Sequence, residues 1–324
     1  MSSEFQPLVS IGMPTYNRAG GYLPLALDSA LAQDYPNLEV IVSDNASTDG
    51  TEEFVRSKGD SRIRYFRHPD SIGGANNFNF CLKQATGTYF LLLHDDDMID
   101  PDFVSVCVRA LQGREEVGVV RTGVRLIDGA GRVLSQRENP ADGLSFEDFV
   151  RAWFNGKTRH YIPNTLYHTG GLKRLGGFHS KRDLFQDGVA LLRLASELGR
   201  VDVREVKASF RRHGENYGAQ PSRALAWAED CLYLREVVME LVTESERDVV
   251  HRDATRFLCR KAYRQASGIP GVVDRAKMYA QIYAMFGYRQ LPPLLQPRWW
   301  IRRMKKGLKG ALRGRWPHSG TDRA

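Results

Sequence analysis

Three consecutive carboxylates, Asp95-Asp96-Asp97, follow directly on the apolar run Tyr89-Phe90-Leu91-Leu92-Leu93 and His94. The run is too short for a core helix and suits a strand covered on both faces. Adjacent acids cannot be buried without partners, because desolvating an unpaired carboxylate costs several kcal/mol. They are expected at the carboxyl end of that strand, where an open α/β sheet places its ligands. Oxygen donors so placed suit a hard divalent cation that carries a phosphate-bearing substrate. The competing reading is a solvated acidic turn, with Asp100-Pro101 as N-cap and first helical residue. It accounts for Asp100 and leaves the triplet unexplained.

The elements that must position these acids alternate regularly. Leu8 to Met13 predicts a first strand, stopped by Pro14, and Thr15-Tyr16-Asn17-Arg18 a polar loop before a helix from about Tyr22 to Gln33. Leu38 to Ser43 predicts a second strand ending on Asp44-Asn45, and Ser47, Thr48 and Asp49 offer caps for a helix through Lys58. Ile63 to Phe66 predicts a third strand, and Asn76 to Ala85 a helix closed by Gly87. Four strand–loop–helix repeats predict a doubly wound parallel α/β sheet. Its strand ends, Thr15 to Asn17, Asp44-Asn45 and Asp95 to Asp97, should meet on one rim.

Beyond the acids, a helix to about Leu111 leads to strand-like Val117 to Ile127 and a hairpin turn at Gly129-Ala130-Gly131. Ser145 opens a helix, Asn164 to His168 forms a short strand, Asp187 to Leu198 a helix and Val201 to Phe210 a last strand. From Pro221 the pattern is purely helical, in segments at about 222–243, 246–267 and 272–286. The boundaries expected are a first domain at 1–218, with halves at about 7–112 and 113–218, a helical region at 219–290 and a tail at 291–324. The three C-terminal helices offer a surface for a homodimer.

With 42% hydrophobic and 26% charged residues in 324, the chain can build a core, and wholesale disorder is excluded. No stretch of eighteen apolar residues predicts a spanning helix, and Met1 to Pro7 lacks the features of a secretory signal. Cys81, Cys107, Cys231 and Cys259 form no C-x-x-C pair, which argues for buried free thiols in a cytoplasmic protein. The formal charge of +8 belongs to the tail, where Leu291 to Ala324 carries nine Lys or Arg and one Asp. On a helix, Trp300, Met304, Leu308 and Leu312 form one stripe among basic neighbours, so 298–315 is expected to lie on an anionic membrane surface. A solvated tail, or one packed on a twin subunit, is the alternative. No recognised nucleic-acid module accompanies it, so a nucleic-acid partner is not expected.

Three stretches together resemble family 2 glycosyltransferases of the GT-A fold. They are Val9 to Arg18 with its P-T-Y-N-R loop, Val40-Ile41-Val42-Ser43-Asp44-Asn45-Ala46-Ser47-Thr48-Asp49-Gly50-Thr51, and Gly73 to Asp97. The resemblance covers roughly residues 7 to 215. It implies a Rossmann-like, mostly parallel sheet flanked by helices, and transfer of a sugar from a nucleotide donor with inversion at the anomeric carbon. It implies that Pro14, Thr15, Tyr16 and Asn17 line the nucleotide with Asn45 and Asn79, and that Asp44 accepts from the imide N–H of uracil or thymine. A UDP- or dTDP-linked donor follows. Asp95, Asp96 and Asp97 match the family's acidic metal motif, for Mn²⁺ or Mg²⁺, with Asp95 and Asp96 also beside the donor. One departure is that the usual first acid falls on His94, so either Asp95 takes that role or His94 faces the ribose.

A second departure is Phe78, where many relatives carry Arg. The family's general base falls on Asp187, after Gly176-Gly177-Phe178, with Gln186 in place of its Glu neighbour. His213 matches a position near the diphosphate and metal, and Arg211 and Arg212 are candidates for phosphate contact. His160, His168 and His179 carry no such match. The reading is a metal-dependent inverting glycosyltransferase acting on a glycan or lipid-linked acceptor in bacterial surface polysaccharide synthesis. A nucleotide-sugar-binding homologue without turnover is the alternative. A sugar nucleotidylyltransferase is disfavoured, because Pro14 to Arg18 is not its Gly-rich phosphate loop.

Overall fold

The computed structural model describes residues 5–214 and 220–292. The stretch 298–315, expected on a membrane surface, therefore lies outside the described residues. Strands β1 (Val9–Thr15), β2 (Leu38–Asp44), β3 (Ile63–Arg67) and β4 (Tyr89–Leu92) are separated by α1 (Leu23–Leu31), α2 (Thr51–Ser57) and α3 (Gly74–Gln84). They pair in parallel in the order β3-β2-β1-β4. The register sets Thr15 beside Asp44 and Gly12 beside Leu92, so the carboxyl ends do share one rim. Gly12 is required by close approach: a Cβ there would collide with Phe90 and Cys81.

The second half is mixed. After β5 (Met98–Ile99) and α4 (Phe103–Ala110) come β6 (Val119–Asp128), β7 (Val133–Arg137), α5 (Phe146–Phe154), β8 (Thr165–His168), α6 (Thr169–Arg174), α7 (Gln186–Leu198) and β9 (Arg200–Arg212). β8 joins β4 antiparallel, and the sheet continues β8-β6-β9-β5 with β7 as a hairpin on β6. The expected Asp100 cap is not formed. Asp102 occupies the cap position of α4, and the Asp100 carboxylate instead grips Arg125 through two contacts of 2.6 and 2.8 Å. A bidentate ion pair outcompetes a single cap hydrogen bond.

Alternation along each strand divides the core into two layers. Tyr89, Leu91 and Leu93 pack with Leu23, Leu27, Phe103 and Cys107 of α1 and α4 on one face. Phe90 and Leu92 pack with Cys81 of α3 and with α5 and α7 on the other. That second layer continues without a break into α8 (Ala224–Leu241), α9 (Arg247–Ala266) and α10 (Val272–Met285). The four cysteines are free and buried, as their spacing predicts. Among the described residues no helix is long and apolar enough to cross a membrane.

Candidate active site

The loops after β1 and β2 are stitched to each other. Asn17 adopts a left-handed backbone (φ 52°), donates its N–H to Ser47 Oγ at 2.8 Å and accepts from Thr48 N–H at 2.8 Å through Oδ1. Asn45 N–H donates to the Thr15 carbonyl at 2.9 Å. Asn45 also uses its whole amide on the loop before α3, donating to Ser71 Oγ and accepting from Ile72 N–H. Tyr16 presents an exposed ring, at 53%. Asp44 is fully buried, accepting from Ser47 N–H at 2.8 Å and from Tyr65 O–H at 2.6 Å. Each of its oxygens keeps a second acceptor position.

The triplet divides into distinct environments. Thr15 Oγ1 donates to Asp95 Oδ2 at 2.7 Å, joining the ends of β1 and β4. Burial first, and then the charge of Asp96, push the Asp95 carboxyl up to about 7 against the pull of that hydroxyl. Asp96 Oδ2 lies 2.8 Å from His213 Nε2, and its carbonyl accepts from Arg211 Nε. Asp97 is wholly buried, accepts from Arg211 N–H through Oδ1, and has no hydrogen-bond partner at Oδ2. Burial and Asp96 raise its carboxyl well above the usual carboxylate range.

His94 supplies the complement. Its Nε2 is buried and unpartnered, and its ring packs on Phe78 at 4.8 Å. Burial lowers the imidazole below its ordinary value, so the neutral, metal-ligating form is favoured. His94, Asp96 and Asp97 each present one ligand atom, all within 4.8 Å of one another. Two orphaned buried atoms facing a shared acidic neighbour fit a cation with nitrogen and oxygen ligands. Asp95 and His213 adjoin that set, Asp95 accepting from Thr15 Oγ1 and His213 Nε2 lying 2.8 Å from Asp96 Oδ2.

The expected base stands in the first turn of α7. Asp187 Oδ2 lies 3.1 Å from Nε2 of His160, off the N–H axis, so the contact is an ion-pair approach rather than a linear hydrogen bond. Burial would raise the Asp187 carboxyl, but His160, joined by the Gly188 N–H and His94, holds it below the usual range. His160 in turn has Thr165 Oγ1 3.2 Å from Nδ1 and Trp153 edge-on at 5.4 Å. Asp187 and His94 lie within electrostatic reach of each other, which brings base and acids into one site.

Three of the expected contact residues already have partners within the chain. Asn79 turns its amide onto the backbone of Phe178, away from the strand ends, because both its polar ends are satisfied there. Arg211 points inward: it is 1% exposed, donates to the carbonyls of Asp96 and Asp128, and lies over Tyr22 at 4.5 Å. A guanidinium so enclosed organises the acid loop. Arg212 is the exposed one of the pair and donates to Tyr161 Oη at 3.1 Å. His160 was not singled out by the sequence, since β8 and α6 lie between it and α7 and it carries no motif. Tyr65 was equally hidden, as one aromatic in a short strand.

The sequence model described as glycosyl transferase family 2 matches residues 10–176, more than half of the chain. The chain belongs to glycosyl transferase family 2. This family 2 chain is 40% identical over 135 residues to an uncharacterized glycosyltransferase of Rickettsia bellii, covering 41% of itself and 19% of that protein. It is 34% identical over 161 residues to the GalNAc(5)-diNAcBac-PP-undecaprenol beta-1,3-glucosyltransferase of Campylobacter jejuni, covering 47% and 50%. The chain thus spans half or less of the length of these relatives. S. aureus TarS 1–349, solved with UDP-GlcNAc, superposes with a TM-score of 0.67 at 17% identity over 92% of this chain and 88% of that one. The mannosyltransferase PcManGT of Pyrobaculum calidifontis, solved with GDP-Man and Mn²⁺, gives 0.57 at 20% identity over 95% and 81%. These likenesses establish the mixed α/β GT-A fold with its C-terminal helices.

Proposed function

We propose that this family 2 member transfers a hexosyl or deoxyhexosyl group from a UDP- or dTDP-sugar to a hydroxyl of a glycan or lipid-linked acceptor, with inversion, in bacterial surface polysaccharide synthesis. The observation that carries the reading is the convergence of three groups: the Thr15–Asp95 rim, the His94, Asp96 and Asp97 cluster, and the Asp187–His160 pair. In this reading Tyr16 stacks on the base and Asp44, steadied by Tyr65 and Ser47, accepts its imide N–H. His94, Asp96 and Asp97 would hold Mn²⁺ or Mg²⁺, which when bound neutralises the diphosphate as leaving group.

Asp187 accepts the proton of the acceptor hydroxyl as oxygen attacks the anomeric carbon from the face opposite the nucleotide. His160 engages Oδ2 and leaves Oδ1 for that hydroxyl. Thr165 Oγ1 stands 3.2 Å from Nδ1, and in this reading Nε2 carries the ring hydrogen on the side of the carboxylate. Residues 1–218 form the transferase unit, 7–112 its donor half and 113–218 its acceptor half. The helices of 219–290 buttress the acceptor half, and the basic tail holds the enzyme to the inner face of the membrane. The test is calorimetric titration with UDP, dTDP, GDP and CDP, each with Mn²⁺ and then with chelator. Tight Mn²⁺-dependent binding of UDP or dTDP alone is expected. Absence of metal-dependent binding to all four would overturn the assignment.

A further inference from the structure

Many basic side chains in this fold meet a carboxylate. Arg125 pairs with Asp100, Arg62 with Asp60, Arg182 with Glu229, and Lys207 with Asp102. Four beside the proposed base do not. Arg137, Arg159, Arg212 and Lys261 have no carboxylate within ion-pair distance among the described residues, although they come from four separate places in the chain.

Contacts fix them around Asp187. Arg212 donates to Tyr161 Oη at 3.1 Å, and Tyr161 adjoins His160, which touches Asp187. Arg159, on the other side of His160 in sequence, donates to Ser135 Oγ at 3.1 Å. Arg137 lies two residues along β7 from Ser135, hence on the same face of the strand. From the opposite direction, the Lys261 ammonium of α9 lies over Trp227 at 4.3 Å and Phe185 at 5.5 Å, and Phe185 is the N-cap residue of α7, next but one to Asp187.

The cations also repel one another. After burial, the neighbouring Arg137 and Arg212 hold Arg159 below the ordinary guanidinium range. Burial chiefly, with Arg264 and Arg212 adding to it, lowers Lys261. Four cations gathered about one carboxylate, Asp187, leave an excess of positive charge that destabilises a fold unless something anionic joins them, and such a patch raises the local concentration of an anionic ligand. Lys261 is half-buried against two rings rather than spread on an outer surface, which favours a ligand entering the site over a flat anionic sheet.

We infer that the acceptor is acidic: a carboxylate or phosphate group of the acceptor glycan is held by Arg137, Arg159, Arg212 and Lys261 while Asp187 engages its hydroxyl. The inference rests on Asp187 being the base. It goes beyond that reading by naming the charge of the acceptor.

The test is calorimetry on the full chain with Mn²⁺ and UDP present. The probes are a glucuronate-containing tetrasaccharide, its uncharged methyl ester, and a glycerol-phosphate tetramer. At least one acidic probe should bind about tenfold more tightly than the ester, and which one does so distinguishes carboxylate from phosphate. Arg137→Gln with Arg159→Gln, at surface positions, should remove most of that preference and leave Mn²⁺–UDP binding unchanged, and Lys261→Gln should do the same from the other side. Equal binding of acid and ester, no binding of either acidic probe, or an undiminished preference in both variants would overturn the inference. So would binding only to phosphatidylglycerol vesicles, which would make the patch a membrane contact. Loss of Mn²⁺-dependent UDP binding in the parent chain would instead count against the transferase reading.

Discussion

Asn79 holds Phe178 by both ends of one amide, Nδ2 donating to its carbonyl at 2.9 Å and Oδ1 accepting from its N–H at 2.8 Å. The contact ties α3, which stands behind the nucleotide rim, to the glycine loop that leads toward Asp187. It behaves like a strand pairing made by a side chain. Gly177 must be glycine beside it: its φ is +86°, and a Cβ there would run into Asn79 Oδ1.

Asn79→Ala should therefore destabilise the chain by about 1–3 kcal/mol, because it strands a donor and an acceptor that are partly buried. The denaturation midpoint in urea would fall with no change in slope. An unshifted midpoint would show that water replaces the amide at no cost.

Asp187→Asn should lower kcat by about a hundred- to ten-thousand-fold, the usual contribution of a positioned base. His160→Gln should cost less and act through pH. His160 holds the Asp187 carboxyl below its ordinary range, so its loss lets that carboxyl take up protons at higher pH. The acid limb of the kcat profile should move toward neutrality. An unmoved limb with reduced kcat would leave His160 a packing role only.

Replacing His94 or Asp97 by Ala should abolish saturable Mn²⁺ binding, read by the loss of free Mn²⁺ signal in electron paramagnetic resonance. Asp95→Asn should spare most of it, since that carboxylate is bonded to Thr15. Equal losses at 95 and 97 would return Asp95 to the ligand set.

Glu39 supplies a pH-dependent element of stability far from the site. Burial alone would raise it, but Ser10, Thr86 and Arg64 hold it at about 2 against an ordinary 4.5. The folded value is the lower one, so its contribution is fully present above about pH 4.5 and is lost as pH falls toward 2. The size is on the order of 3 kcal/mol, from roughly 1.4 kcal/mol per unit. Acid unfolding of Glu39→Gln should show a correspondingly flatter dependence over that window, and a parallel curve would discount the pairing.

The fold was legible because its signals are local. Strand ends at Thr15, Asp44 and Asp95 follow short apolar runs, and helices such as α5 start at a cap, Ser145, that bonds as its type predicts. Site residues were legible where they sit on those ends. What escaped was pairing across distance. Asp100 looked like a cap because Arg125, its actual partner, lies on another strand. Arg211 looked like a phosphate ligand because nothing in Arg211-Arg212 tells which of two adjacent β-strand residues faces inward. Periodicity fixes alternation, and the partner sheet fixes its phase.

One buried carboxylate gives the site a history as well as a shape. Asp230 of α8, wholly buried, accepts from Ser180 Oγ and from the N–H groups of Arg182, Leu184 and Phe185, the loop that delivers Asp187. Synthesis runs from the N-terminus, and early segments fold first. The loop that leads to Asp187 thus lacks its anchor until α8 has been made, so this part of the site is finished only when a segment about forty residues further along the chain has folded against it.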